Sequence, residues 1–337
     1  MGCRAPEHRR SPHRGLTVIE VLVAISVIGL LVSLLLPAVA AALASARRVQ
    51  CHDHLRQLAV AAASYQSTRG VFPYTMVGMN GVGTPVRSIS PHALLLPYLE
   101  LEPVYARITF DEPGATSAGK PSTKVNAPLL ALSVAVFLCP DDKVVPGANS
   151  YRANMGVTPS PLIRVGSSIV GLATEEDTGA FRVNRALAPA AFADGLSNTV
   201  MFSEKLLGGL NPSRFDPPRD CFYSPFQIEA IDDAVLACQN PPSANPPHDA
   251  FCGTTWLFGG FDQTWYNHIL APNTWIPDCA SDGPGGHGAY SARSFHARAV
   301  NAAFADGAVH CINENVDLSV WRAIGTRAGR EAVPNDF

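Results

Sequence analysis

From Val21 to Ala46 the chain carries no charged residue, and a glutamate, Glu20, stands at the entrance to this run. So long an apolar stretch reads as a membrane-crossing helix. Val21 to Leu36 alone lies at the lower limit of the length needed, and Leu16 to Ile19 or Pro37 to Ala46 extend it. Glu20 is the residue such a helix should exclude, because a carboxylate in hydrocarbon costs several kcal/mol unless it neutralises or meets a cation. A cut between Gly15 and Leu16 would create an α-amine on a neighbouring copy, close enough in packed helices to serve as that cation.

Arg9, Arg10 and Arg14, then Gly15, the hydrophobic Leu16, Thr17-Val18-Ile19-Glu20 and the apolar run together resemble the N-terminal cleavage and methylation signal of type IV prepilins and type II secretion pseudopilins. The resemblance implies that prepilin peptidase cuts after Gly15 and methylates Leu16, and that the helix joins other pilin-like subunits. It also implies a single pass of the inner (cytoplasmic) membrane, with the globular domain on the periplasmic or extracytoplasmic side. Leu16 departs from the Phe usual at that position. Two other readings remain open here. A secretory signal peptide would use Ala42-Leu43-Ala44 or Ala44-Ser45-Ala46 as its cut site, although its apolar core should not contain Glu20. A plain single-pass anchor needs neither Gly15 nor Glu20. A buried core helix is disfavoured, since nothing else in the chain would cover it.

Pro37 is expected to kink the helix, which membrane helices tolerate when neighbouring groups satisfy the freed carbonyl. Beyond Ala46 the pattern becomes amphipathic. Cys51, Leu55, Leu58, Ala62 and Tyr65 form one stripe, while Arg47, Arg48, His52, Asp53 and Arg56 suit water, or lipid headgroups in the case of the two arginines. Gly70 and Pro73 end the element. It is predicted from about Thr17 to Thr68, roughly 78 Å at the α-helical rise. The domains expected are therefore a leader at 1–15, a transmembrane and assembly helix at 16–46, and a globular domain at 47–337 with a cysteine-rich insertion at about 211–290.

The globular part is rich in turn formers, with 28 Pro and 27 Gly in the whole chain, and has the composition of a loop-heavy β-type domain. A net charge of −3 supplies no basic field for nucleic acid, and none is expected as a partner. Phe192-Ala193-Asp194-Gly195 and Phe304-Ala305-Asp306-Gly307 are identical tetrapeptides, each followed by a β-favouring run. Asp-Gly between such runs predicts two hairpins with two-residue turns, the second placing Phe304 opposite Val309 and Ala302 opposite Cys311.

Of eight cysteines, Cys3 lies in the leader, leaving Cys51, Cys139, Cys221, Cys238, Cys252, Cys279 and Cys311. No C-x-x-C spacing occurs, which speaks against a zinc ribbon or a thioredoxin-type motif. In an oxidising compartment the seven allow up to three disulfides and one thiol. Cys51 on the buried stripe and Cys139 after the apolar run Val134 to Leu138 are the predicted pair. The four from Cys221 to Cys279 are expected to staple the insertion, with Cys311 as the odd thiol.

His296 followed nine residues later by Asp306-Gly307, then Asp317 to Arg327, is similar to the tail of the prepilin-like family called domain of unknown function 1559. Arg47-Arg48-Val49-Gln50-Cys51, Phe137-Leu138-Cys139-Pro140 and Asp194-Gly195-Leu196-Ser197-Asn198-Thr199 resemble its internal motifs. The resemblance implies a secretion or surface-filament role. An extended chain between His296 and Asp306 would hold their side chains about 20 to 30 Å apart at about 3.3 Å per residue, so they are read separately. Asp306 is a turn residue and His296 caps or packs the strand entrance; a sharp bend before Val300 would reopen the question.

No G-x-S-x-G, H-E-x-x-H, phosphate loop or dinucleotide fingerprint is present, so no catalytic residues and no enzyme are expected. No cofactor or metal is expected either, apart from a weak calcium possibility in the loop of Asp278 and Asp282, which lacks a closing Glu. Trp256, Trp265, Tyr266 and Trp275 suit core packing or an aromatic binding surface. The expected fold is α+β and pilin-like, a long N-terminal helix packed on an antiparallel sheet with a large loop-rich head. The expected function is structural, as a pseudopilin-like subunit of a secretion pseudopilus or surface filament. The alternative is an exported enzyme or ligand-binding protein tethered by its helix.

Overall fold

The structure is a computed structural model that describes residues 18–79, 85–110, 126–160, 162–165, 168–172, 178–281, 283–296 and 298–334. Helix α1 runs from Val18 to Arg69 with Pro37 inside it. The chain divides into two compact units at Ala46/Arg47.

In the first unit α1 exposes its apolar residues all round, among them Val21, Leu22, Ile28, Leu34 and Leu43, and it is long and apolar enough to cross a membrane. Two hydroxyls that hydrocarbon would penalise are satisfied inside the helix, Ser26 donating to the Leu22 carbonyl and Ser33 to that of Leu30, each at 2.7 Å.

In the second unit the same helix buries one stripe. Cys51, Leu55, Leu58 and Ala62 are fully buried, while Asp53 and Arg56 face solvent, as the spacing of four, three and four requires. After Arg69, Gly70 takes a left-handed φ of 75° and donates to the Gln66 carbonyl, closing the last turn. A hairpin of β1 (Met76–Met79) and β2 (Pro85–Ile89) follows, then the short helices α2 (Pro91–Leu95), α3 (Glu102–Tyr105) and α4 (Ala127–Leu130).

The central sheet uses β3 (Tyr151–Asn154), reached before the peripheral hairpin of β4 (Leu162–Val165) and β5 (Ser168–Leu172), and then β6 (Val200–Glu204). The insertion contributes β7 (Cys221–Tyr223), α5 (Ile231–Gln239), β8 (His248–Asp249), β9 (Trp265–Tyr266), β10 (Asp278–Ala280) and β11 (Gly288–Ala289). The chain closes with β12 (Ala299–Phe304), β13 (Val309–Asn313) and α6 (Leu318–Gly325), whose N-terminus is capped by Asp317 accepting from the Ser319 amide.

Five strands pair in the order β13-β12-β6-β3-β9. The ladders are antiparallel except at the edge, where β9 runs parallel to β3 with Ala153 opposite Trp265. The sheet is thus antiparallel, as expected, with one parallel edge strand: β9 comes out of the insertion rather than from a hairpin, and a strand arriving by a long connection is free to pair in parallel. Alternation along β12 divides its buried residues between two cores. Ala303 joins Tyr151, Ala153 and Phe202 against the α1 stripe, whereas Val300, Ala302 and Phe304 join Val200 and Ile312 against Trp321 and Ile324 of α6. The sheet is thus covered on both faces.

The insertion builds a sheet of its own, β11-β10-β7-β8, with α5 packed on it through Ala234, Ala237 and Cys238. Trp256, Trp265 and Tyr266 are buried, and Trp275 is 82% exposed, so core packing accounts for three of the four aromatics.

Both tetrapeptide readings need correction. Phe192 to Gly195 makes no hairpin but lies between two 3-10 turns, Pro189–Ala191 and Leu196–Asn198, and β6 pairs with β3 and β12 instead. The second copy is a hairpin with a longer loop. Ala303 opposes Val309 and Asn301 opposes Cys311, one residue from the expected register. The Phe304 amide bonds to the Ala308 carbonyl, the Gly307 amide to Phe304, and Gly307 takes φ 93°, which makes a three-residue turn with the glycine in the left-handed position.

Candidate functional site

The C-terminal motif is split by β12. Asp306 and Gly307 lie in the turn at its far end, where Asp306 is exposed and its carboxylate accepts the Ala308 amide. His296 lies before its near end. There Ser294 accepts the His296 amide and donates to the Ala299 carbonyl, and Arg298 takes φ 57°. This bend turns the His296 side chain inward.

Its partners come from three other segments. His296 Nε2 is 3.0 Å from Glu204 Oε1 at the end of β6, and Nδ1 is 3.4 Å from Asp141 Oδ2. Cys139 Sγ stands 3.8 Å from Nε2, and Cys139 is joined by a disulfide to Cys51 of α1. Glu204 is itself held by β12, its Oε2 accepting the Asn301 amide at 2.7 Å and its Oε1 the Asn301 side chain. Asp141 also meets Arg47 of α1 at 3.3 Å. Burial acts to lower the His296 pKa, but the hydrogen bond and charge of Glu204, with the charge of Asp141, outweigh it and raise the pKa above its ordinary value. The His296 ring, held between two carboxylates, ties the sheet to the turn that carries Cys139.

Glu204 and Asp141 were not singled out by sequence reasoning. The one signal for Glu204 is a carboxylate ending the β run Val200 to Ser203, and Asp141 follows the Cys139-Pro140 pair with nothing to distinguish it from Asp142. Asp142 in fact does something different, accepting from Arg219 at 2.8 Å and from the Leu207 amide.

A second polar cluster surrounds Asp278. Lys205 and Arg293 both pair with its carboxylate, and the Ser291 amide donates to it as well. Burial would raise the Asp278 pKa, yet these two cations hold it below the usual value. Asp278 is thus buried between cations, an environment unlike an open calcium loop, and Asp282 lies outside the described residues.

Of the insertion's cysteines, Cys238 of α5 bonds to Cys279 of β10. Cys221 and Cys252 are buried free thiols, which corrects the expectation that all four are bonded, and burial raises both thiol pKa values well above normal. Cys311 is a free, exposed thiol on the edge strand β13 and accepts from Arg48. At the N-terminus, Gly15 and Leu16 lie outside the described residues, and Glu20 lies exposed in the first turn of α1.

The family described as Protein of unknown function (DUF1559) matches residues 40–319. The chain belongs to that family. This DUF1559 protein also matches the prokaryotic N-terminal methylation motif over residues 10–36, which makes it a pilin-like, exported protein with a membrane-anchoring N-terminal helix. No curated protein and no solved structure matches it.

Proposed function

We propose that this DUF1559 protein is a structural subunit of a secretion pseudopilus or surface filament. Prepilin peptidase cuts after Gly15 and methylates the amine of Leu16. The apolar half of α1 then packs against other pilin-like subunits, with Glu20 facing the Leu16 amine of a neighbour. The globular domain stays on the extracytoplasmic side of the cytoplasmic membrane. The observation that carries this reading is the methylation motif at residues 10–36 running directly into a helix suited to span a membrane.

A role other than catalysis is supported by the burial of His296, Glu204, Cys51 and Cys139. The space beside Cys139, Glu204 and Lys205 is only about 10 Å³, at most one water. Mass spectrometry of the mature N-terminus tests the proposal. The expected result is a chain starting at methylated Leu16; an intact leader, or a start near Ser45, overturns it.

A further inference from the structure

We propose that Cys51, Cys139, Glu204 and His296 form a zinc site in the reduced protein, and that the Cys51–Cys139 disulfide and the bound metal are mutually exclusive states of this joint. One ligand atom from each residue lies within 4.8 Å of all the others, and all four residues are buried. A tetrahedral zinc with two sulfurs, one nitrogen and one oxygen at about 2.0 to 2.3 Å needs its donors about 3.3 to 3.8 Å apart. The observed 3.0 Å between His296 Nε2 and Glu204 Oε1, and 3.8 Å between His296 Nε2 and Cys139 Sγ, lie close to that spacing before any adjustment. Two thiolates, an imidazole and a carboxylate are a donor set suited to zinc rather than to calcium or magnesium.

The residues behind the donors strengthen the case. A metal-bound histidine ordinarily gives its other ring N–H to a carboxylate, and Asp141 lies 3.4 Å from His296 Nδ1 for that purpose. Glu204 is fixed by two bonds from Asn301, and Arg47 offsets the charge of Asp141. In the disulfide form His296 Nε2 donates its proton to Glu204; in the metal form the ion takes the place of that proton.

The newly made chain carries thiols. Zinc binding releases the two thiol protons and the proton on His296 Nε2, and changes no oxidation state. Exchange with a disulfide donor instead moves two electrons from the protein sulfurs to the donor, which leaves as a dithiol, and the ion loses two of its four ligands. The joint between α1 and the sheet would therefore be closed by metal before oxidation and by a covalent bond after it.

The test uses the full-length protein in detergent, reduced with a water-soluble phosphine and then cleared of reductant without oxygen. The expected result is one tightly bound Zn2+ per reduced chain and none on the oxidised chain. With Co2+ the reduced chain should show thiolate-to-metal charge-transfer absorption and the strong visible bands of a tetrahedral site. Cys51→Ser with Cys139→Ser should abolish them, whereas Cys221→Ser, Cys252→Ser and Cys311→Ser should not. His296→Gln and Glu204→Gln should each weaken zinc binding by at least about tenfold, and Asp141→Asn by about 10- to 100-fold. The last three variants retain the cysteine pair, so recovery of the Cys51–Cys139 bond on reoxidation reports their folding even where the double serine variant fails to fold. Equal zinc on oxidised and reduced chains, or unchanged affinity in folded His296→Gln and Glu204→Gln, overturns the proposal.

Discussion

His296 Nε2 lies 3.0 Å from Glu204 Oε1, with both side chains 3% exposed, so the motif histidine is paired across the sheet rather than with the aspartate of its own motif. The pair sits where α1, the Cys139 turn, β6 and the entrance to β12 meet.

Breaking that pair from either side should be costly, because a buried partner is left behind. His296→Ala and Glu204→Ala should each destabilise the globular domain by about 3 to 5 kcal/mol in urea unfolding at neutral pH. The double variant should cost less than the sum, with a coupling of about 0.5 to 3 kcal/mol. Strict additivity would mean the two side chains do not stabilise each other.

Glu20→Ala makes the first turns of α1 more apolar, so the protein should still fractionate with membranes. Crosslinking between copies through cysteines introduced along Leu22 to Leu36 should fall, since the proposed charge-assisted pair between subunits would be lost. Unchanged crosslinking would remove Glu20 from the assembly contact.

Non-reducing peptide mapping should recover Cys51 with Cys139 and Cys238 with Cys279. Cys311 should alkylate in the native protein, and Cys221 and Cys252 only after denaturation. With sequence separations of 88 and 41, loss of the first bond should cost about 4 to 5 kcal/mol and of the second about 4 kcal/mol on the chain-entropy account. A Cys51 peptide joined to any other cysteine contradicts the observed spine-to-head link.

Two other histidines should make the domain sensitive to acid. Burial holds His92 down to about 4, against its bond to the Tyr151 carbonyl, and holds His268, stacked on Trp321, down to about 3. Below the ordinary value of 6.5 the unfolded chain takes up these protons before the folded one does. The stability contributed by the neutral rings is therefore present above pH 6.5 and falls as pH drops toward 4 and then 3. At about 1.4 kcal/mol per pH unit for each titrating ring, His92 alone should account for roughly 3 kcal/mol of that loss. His92→Gln should flatten the upper part of the profile in unfolding measured between pH 7 and 4; an unchanged slope would mean that His92 does not titrate differently on folding.

Much of the first helix was legible because its information is local. Hydropathy marked Val21 to Ala46, the four-three-four spacing marked the stripe from Cys51 to Ala62, and Gly70 with Pro73 marked the end, since each signal depends on residues within a turn or two. The hairpin at Asp306 was legible in kind but not in register. Asp-Gly is compatible with a two- or a three-residue turn, and pairing of β12 with β6 on its other edge helps select between them. The tetrapeptide at Phe192 shows the limit of that signal, because the same four residues make no hairpin where the following strand has other partners.

By itself the sequence determined the N-terminal segment, the family and the buried stripe of the spine, because periodicity and motif spacing are properties of neighbouring residues. Only the tertiary structure decided that Glu204 and Asp141 face His296, that Cys221 and Cys252 stay unbonded, and that Asp278 is enclosed by Lys205 and Arg293. Those relationships depend on the strand orders β13-β12-β6-β3-β9 and β11-β10-β7-β8, which bring residues far apart in the chain together. Strand order follows from how whole faces pack against α1, α5 and α6, and no short window of residues encodes it.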